Sequence, residues 1–238
     1  MGQIKTRLSM FKDSLRKPKD SPTDITPIFS DSVQLASART QEYLLFQDPE
    51  NKFWPTGCAL NEIFLMTYIT QSVQLRMPDT FICTAMTREQ RVLLGADWVW
   101  AVVEASTRNP LVQVAVQVLH MQGRESEDAS NIAEAVRLTC SQSASKTKLE
   151  NMIDFCASIG QDCYALFLFF GRSGDPGNIY GVLSNNFRAL CTRGSKLNQA
   201  FIEGFFKGTR YVSTPAAMIQ TVTQRQQDGP LTMLIKFS

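Results

Sequence analysis

Apolar-periodic stretches broken by glycine and proline begin at about residue 33 and continue to the end of the chain. Segment 17–32 before them is rich in Pro, Ser, Thr and Asp and has no apolar period, which is typical of a flexible linker. With 44% apolar and 10% aromatic residues, the chain has enough hydrophobic surface for a packed core. The sequence therefore predicts one globular core domain over residues 33–238.

Most of these stretches have the spacing of helices. The pattern predicts helices over residues 33–46, 59–75, 87–103, 126–143, 149–159, 179–192, 197–207 and 214–227. An aromatic corner, Phe53-Trp54-Pro55, separates the first two. The core-facing residues of the second helix are predicted to be Ile63, Phe64, Tyr68 and Val73. Thr87 opens the third helix, because it forms a T-x-x-Q capping box with Gln90.

Two stretches have a different or ambiguous pattern. Residues 111–119 contain VQVAVQV, which alternates as a strand does, but Asn109-Pro110 before them is typical of a helix start, and we favour a helix slightly. The tail 231–237 alternates and predicts a strand, for which 209–213 or 80–85 are candidate partners. We therefore expect a mostly α, compact helical domain with room for a small antiparallel sheet (α+β).

The first six residues match the N-myristoylation signal, which is Met-Gly, three free positions, then Ser or Thr. Gly2 is the predicted acylation site, and Thr6 completes the signal. One myristoyl chain gives only marginal membrane binding, with an association constant of roughly 10⁴ M⁻¹. A second signal is therefore needed for stable anchoring.

That second signal is a basic amphipathic segment. Residues 2–20 hold six basic and two acidic residues, a net charge of +4 in a chain of net +2. Each basic residue near an anionic leaflet contributes about 1 kcal/mol. The apolar residues of the segment are spaced as one helical stripe. The predicted membrane-binding residues are Ile4, Lys5, Arg7, Leu8, Phe11, Lys12, Leu15, Arg16, Lys17 and Lys19. Segment 1–16 is thus predicted to be a myristoylated membrane-anchoring leader.

The chemistry of the core does not favour catalysis. His120 is the one histidine, and a hydrogen-bonded core position is the simpler interpretation of a histidine in an apolar stretch. No nucleotide-binding, hydrolase, kinase or metalloprotease motif is present. The spacing of Gly171, Gly174 and Gly177 is typical of a turn and not of a phosphate-binding loop. Six cysteines lack metal-site spacing: Cys58, Cys83, Cys140, Cys156, Cys163 and Cys191. We expect no enzyme, metal or cofactor, although a pair of His120 with one cysteine stays open.

The opening Met-Gly-Gln-Ile, with acyl chain and basic residues acting together, resembles the matrix segments of retroviruses, and a myristoylated MGQ start is also similar to arenaviral matrix proteins. The resemblance covers about the first 20 residues. It implies acylation of Gly2 and contact of the six basic residues with acidic lipid. The chain departs from these families in lacking a P-T/S-A-P or P-P-x-Y motif, the nearest being Pro22-Thr23-Asp24-Ile25.

Anchor, linker and core together predict a peripheral matrix or assembly protein. The resemblance implies a place at the cytoplasmic face of the plasma membrane and in a virion, self-association, and a nucleocapsid or envelope partner. Nucleic acid is not expected as a ligand, because the chain without its leader is slightly acidic. Two alternatives stay open: a myristoylated cytoplasmic adaptor or host-modulating protein, and a membrane-tethered cysteine hydrolase.

Overall fold

The computed structural model describes residues 24–120, 147–172, 175–186, 211–224 and 229–238. These residues form five helices: α1 (Ile25–Leu44), α2 (Gly57–Gln74), α3 (Arg88–Leu94), α4 (Lys148–Ile159) and α5 (Pro215–Gln224). They also form six strands: β1 (Phe81–Ala85), β2 (Trp98–Val103), β3 (Pro110–His120), β4 (Cys163–Arg172), β5 (Asp175–Ser184) and β6 (Thr232–Lys236).

The six strands make one mixed sheet whose spatial order is the chain order, β1 to β6. Neighbouring strands are antiparallel except β3 and β4, which are parallel. A parallel pair needs a long crossover connection, and the connection from β3 to β4 includes α4. The fold is therefore α+β, and the prediction of a mostly α domain with at most a small antiparallel sheet is wrong.

Helices cover both faces of this sheet. Helices α1, α2 and α5 lie on one face, over a core that includes Val114, Val116 and Val118 of β3. Helix α4 lies on the other, over Ala115 and Leu119 of the same strand. A strand buried on both faces is apolar at nearly every position and loses the alternation that identifies a half-buried strand. This is why the sequence of 98–103 and 179–184, which are strands, predicts helices. Residues 111–119 do alternate, and the helix prediction there is wrong because Asn109-Pro110, typical of a helix start, instead leads into β3.

Aromatic rings fix the α1–α2 pair on the sheet. Phe29 of α1 meets Trp100 of β2 edge to face, with ring centroids 5.1 Å apart. Phe64 of α2 stacks on Trp98 at 5.5 Å. Such pairs add about 0.5–1.5 kcal/mol each beyond the burial of their area. The two helices are therefore held rigidly against β2.

Helix α1 begins inside the segment that the sequence predicts as a linker. The Asp24 carboxylate caps it, accepting the Thr26 N–H at 3.0 Å. Pro27 is tolerated because it falls in the first turn, where the N–H groups have no helical partner. Phe29 is fully buried. The linker prediction is therefore wrong for residues 25–32, and the core begins at about residue 25.

Several predicted elements are confirmed. Helices α2 and α4 have the expected positions, α5 begins at Pro215, and the tail forms β6. The capping box of α3 is present, with Gln90 Oε1 accepting the Thr87 N–H at 2.9 Å, but the helix ends at Leu94 rather than 103. Strand β6 pairs with β5, and Ser213 forms a bridge with Ile235. Predicted helices 126–143 and 197–207 lie outside the described residues.

Candidate partner-binding surface

Helix α2 is apolar on two opposite faces. Its buried face is formed by Gly57, Leu60, Phe64, Tyr68 and Ser72. Met66, Ile69 and Val73 point away from the core, and their side chains are 59%, 39% and 70% exposed. At 3.6 residues per turn these three lie within about 60° of one another, on the side opposite the buried face. We call Met66, Ile69 and Val73 the α2 stripe.

The neighbouring helix shows what an ordinary solvent-facing surface looks like in this protein. The exposed positions of α1 include Asp31, Gln34, Arg39 and Glu42. Arg39 and Glu42 form an exposed ion pair at 2.6 Å. Leu35, at 46% exposure, is the isolated large apolar side chain on this surface of α1. The α2 stripe differs in having three such side chains side by side, although a helix face that meets only water is normally polar. Neighbouring apolar side chains on an exposed helix face make the α2 stripe a candidate interaction site.

A second apolar surface lies at the turn between α1 and α2, in residues 45–55, which we call the aromatic loop. Its exposed side chains are Leu45, Phe46, Phe53 and Trp54, at 55%, 42%, 66% and 60% exposure. The Phe46 and Phe53 rings meet edge to face with centroids 6.0 Å apart. The two arms of the loop are thus in contact through their aromatic rings.

Asp48 organises the aromatic loop. Its carboxylate accepts the backbone N–H groups of Lys52 at 2.8 Å, Phe53 at 3.0 Å and Glu50 at 3.3 Å. These bonds, that from Lys52 first, hold the pKa of Asp48 below its usual range. At the base of the loop, Leu45 packs so close to Gly177 that a Cβ there would lie 3.1 Å from Leu45 Cδ2. The loop is therefore an ordered element.

A buried carboxylate joins the sheet to α4. Asp97 precedes β2 and accepts the Val118 N–H at 2.8 Å. Its other oxygen lies 3.1 Å from Lys148 Nζ, and its side chain is nearly inaccessible while that of Lys148 is half exposed. A buried carboxylate with hydrogen-bond partners on two elements holds those elements together. We therefore assign Asp97 a structural role, not a binding or catalytic one.

His120 and the buried cysteines do not form a catalytic pair. His120 is buried at the end of β3, with its ring edge-on to Phe170 at 5.6 Å. Cys156 and Cys163 are in the core on the opposite face of the sheet. The hydrogen bond with Cys163, followed by burial, raises the pKa of the Cys156 thiol, whereas an activated nucleophile needs a lowered pKa. Cys140 and Cys191 lie outside the described residues.

The predicted membrane site belongs to the N-terminal leader. Gly2 and all ten predicted membrane-binding residues, from Ile4 to Lys19, lie outside the described part of the chain. Within the described part, no cluster of three or more metal-ligating side chains occurs. No described helix is both long and apolar enough to cross a bilayer.

The α2 stripe could have been found in part from the sequence. The prediction of 59–75 as a helix is right, but Val73 was assigned to the core face and is instead largely exposed. Tyr68 and Phe64 are correctly placed on the buried side. The available signal was the excess of apolar residues, because α2 carries more of them than one buried face can hold. A helix that has an exposed apolar face in addition to its buried one predicts a binding partner for the exposed face.

Comparison with known proteins shows two matches. A family model described as "Rab15 effector" matches residues 12–232. A mouse (Mus musculus) protein named "Rab15 effector protein" is 30% identical over 173 residues, which cover 72% of this chain and 73% of the mouse protein. These matches extend through the core, whereas the similarity to matrix proteins stops at about residue 20. The predictions of viral matrix function, a virion location, and nucleocapsid or envelope partners are therefore wrong.

Proposed function

The chain belongs to the Rab15 effector family, and from this we propose that it is a non-catalytic adaptor that binds a Rab GTPase in the GTP-bound form through the α2 stripe. This is the adaptor alternative of the sequence analysis, with the partner now given a class. The observation that carries the proposal is the apolar outward face of α2.

The composition of the stripe suits a protein interface. Met66, Ile69 and Val73 would form its apolar centre, and the exposed side chains of Glu62 and Thr70 lie beside them on the same helix. Interfaces between separate proteins have such an apolar centre with a polar rim, and a few central side chains supply most of the binding energy. Methionine adapts its shape to irregular partner surfaces.

The rigidity of α2 also favours tight binding. Phe64 on the buried side stacks on Trp98, and Tyr68 lies 5.3 Å from the Trp100 ring, so the helix is fixed before any partner arrives. A pre-ordered surface loses little conformational entropy on association. The nucleotide dependence would come from the GTPase, whose switch segments are ordered only while the γ-phosphate is present.

The decisive experiment measures the affinity for Rab15 loaded with a non-hydrolysable GTP analogue or with GDP. We expect the native chain to bind the GTP-analogue form at least tenfold more tightly. The double variant M66E/V73E should lose at least tenfold in affinity for that form, since it places two charges in the apolar centre. Leu93→Glu is the control, because Leu93 is also exposed, at 64%, but belongs to α3, which contacts α4 on the other side of the sheet from α2.

Two results would contradict the proposal in different ways. Equal affinity for the two nucleotide forms would exclude an effector function. A nucleotide-dependent affinity that M66E/V73E leaves unchanged would exclude the α2 stripe while keeping the partner. Circular dichroism and thermal unfolding of each variant establish that a loss of binding is not a loss of fold.

Membrane association through the leader is a separate part of the proposal. It rests on the myristoylation signal at Gly2 and on the +4 charge of residues 2–20. The family match begins at residue 12, so Gly2 lies outside it. An adaptor that binds a GTPase and a lipid surface at once gains effective concentration from the second contact.

A further inference from the structure

We propose that the aromatic loop, residues 45–55, is a lipid-contact site whose exposed rings enter the interfacial layer of a bilayer. The site is distinct from the α2 stripe and from the leader. Its ligand class is a phospholipid surface, recognised through insertion of apolar side chains rather than through the charge of the headgroup.

The side chains at the loop have the chemistry of an interfacial anchor. Phe46, Phe53 and Trp54 all remain largely exposed although their rings are among the most apolar groups in the chain. Tryptophan is enriched at membrane interfaces because its ring is apolar and its N–H prefers a polar partner. Peripheral elements bind by burying such rings 5–10 Å into the boundary between headgroups and acyl chains.

The size of the surface suits lipid insertion. Leu45, Phe46, Phe53 and Trp54 together expose roughly 450 Å² of side chain, taking each full side chain as about 200 Å². Interfacial insertion needs only a few apolar side chains, whereas a standard protein interface of about 800 Å² per partner needs further contacts around its apolar centre. The loop can therefore contact lipid without help from neighbouring elements.

The charged side chains of the aromatic loop, Asp48, Glu50 and Lys52, all have partners inside the loop. The Asp48 carboxylate faces three backbone N–H groups of the loop, and Lys52 forms an ion pair with Glu50. No described residue between 45 and 55 adds a further positive charge. Binding through the loop should therefore not depend on anionic lipid, in contrast to binding through the basic leader.

The loop is also pre-formed. Asp48 fixes its backbone, the Phe46–Phe53 contact closes it, and Leu45 packs on Gly177 at its base. Trp54 is followed by the buried Pro55 and by Thr56, which caps α2 with its hydroxyl on the Ala59 N–H at 3.1 Å. Insertion therefore needs no costly reordering of the backbone.

The chain carries an internal reporter for this contact. It has three tryptophans, of which Trp98 and Trp100 are 1% exposed. Quenchers in the lipid or in water therefore reach Trp54 alone. The experiment uses the full chain without its acyl group, mixed with phosphatidylcholine vesicles whose acyl chains are brominated. The neutral lipid removes the electrostatic attraction of the leader.

If the loop inserts, the brominated vesicles quench the Trp54 part of the emission, which the difference between the native chain and W54F gives, and leave the emission of Trp98 and Trp100 unchanged. Iodide, which quenches Trp54 in buffer, should then quench less in the presence of unbrominated phosphatidylcholine vesicles. The variant F53S/W54S should lower the vesicle partition coefficient by about tenfold or more, because partition scales with buried apolar area. The matched control is Leu93→Ser, which removes an equally exposed apolar side chain elsewhere.

The variant W54F separates the reporter from the anchor: quenching disappears while flotation with the vesicles persists. Unchanged Trp54 emission with brominated vesicles, together with full iodide access, would overturn the proposal. The proposal would also fail if iodide were excluded by the GTP-loaded Rab protein and not by vesicles, because the loop would then be a protein contact. The vesicle results alone are independent of whether the α2 stripe binds a GTPase.

Discussion

Gly95 lies against the backbone of Lys148, so closely that a Cβ at position 95 would be 2.1 Å from the Lys148 carbonyl oxygen. Gly95 ends α3 with φ of 72°, in the left-handed region, and Lys148 begins α4. The contact brings the first turn of α4 to the start of β2, next to the Asp97 carboxylate that pairs with the same lysine. The end of α3 therefore determines where α4 lies on the sheet.

We expect Gly95→Ala to destabilise the protein by about 3 kcal/mol or more, because it adds a backbone clash to the left-handed strain. Gly160→Ala is the matched control: Gly160 has φ of 124°, but a Cβ there would meet nothing within 4 Å. That variant should lose only the conformational part, about 1–3 kcal/mol. Urea unfolding measures both, and a loss of only about 1 kcal/mol for Gly95→Ala, which left-handed strain alone explains, would contradict a steric role for Lys148.

Phe29 tests where the folded core begins. Its ring contacts Tyr68, Phe81 and Trp100, although it lies in the segment that the sequence predicts as a linker. Phe29→Ala should cost about 3–5 kcal/mol in unfolding free energy, since it opens a cavity in the main aromatic cluster. Asp31→Ala, an exposed change on the same helix, should stay within about 0.5 kcal/mol. A similar small effect for both would indicate that residues 25–32 do not belong to the core.

The fold was predictable from the sequence where signals were local, as in the Thr87 capping box, the helix 149–159 and the strand at the C-terminus. It was not predictable where burial on two faces removed the strand pattern, as in Trp98 and Val99, which belong to opposite core clusters. Gly95 was an available stop signal for α3, because glycine commonly follows the last helical residue. The crossover that makes β3 and β4 parallel depends on tertiary packing, so no local sequence pattern predicts it.

The Asp48 carboxylate gives the aromatic loop a pH dependence with a definite sign. Its folded-state pKa is lowered from 3.8 by hydrogen bonds from the Lys52 and Glu50 N–H groups. A lowered pKa means that the carboxylate stabilises the loop fully above about pH 3.8, and that this contribution is lost as the pH falls through the lowered value. At neutral pH the loop is therefore in its ordered form.

Asp48→Ala removes the acceptor at every pH. We expect the amide N–H groups of Lys52 and Phe53 to exchange with deuterium at least tenfold faster than in the native chain, because their acceptor is lost. Glu50→Ala is the control, since the Glu50 side chain pairs only with the Lys52 ammonium in the described loop. Protection that persists in D48A would show that the aromatic contacts alone hold the loop.

The candidate site was only partly visible in the sequence. The aromatic corner Phe53-Trp54-Pro55 marked the loop, but nothing in the pattern showed that Asp48 would fold it or that the rings would stay exposed. Whether Val73 faces core or solvent depends on how α2 is rotated against Trp98 and Trp100, which spacing alone does not determine. The matrix interpretation failed because an acylation signal and a basic segment report on membrane attachment and carry no information on what the core binds.

Gly2 remains the key to the predicted leader, and its role is measurable by itself. In cells, the native chain should lose Met1 and gain roughly 210 Da from the myristoyl group, while Gly2→Ala should gain nothing at that position. On phosphatidylserine vesicles, G2A should bind at least tenfold more weakly than the acylated chain, because it keeps the basic residues but loses the acyl chain.

The charge signal needs a complementary variant. K12E/K17E changes the leader charge from +4 to 0 and keeps Gly2. At about 1 kcal/mol per charge, it should weaken binding to phosphatidylserine by about a thousandfold at low salt and have little effect on neutral vesicles. Loss of binding in K12E/K17E with an intact acyl group, combined with loss in G2A, would establish a two-part anchor. If Gly2 is unmodified, or if neither G2A nor K12E/K17E changes the affinity for vesicles, another part of the chain must attach it to the membrane. The aromatic loop is the structural candidate for that part.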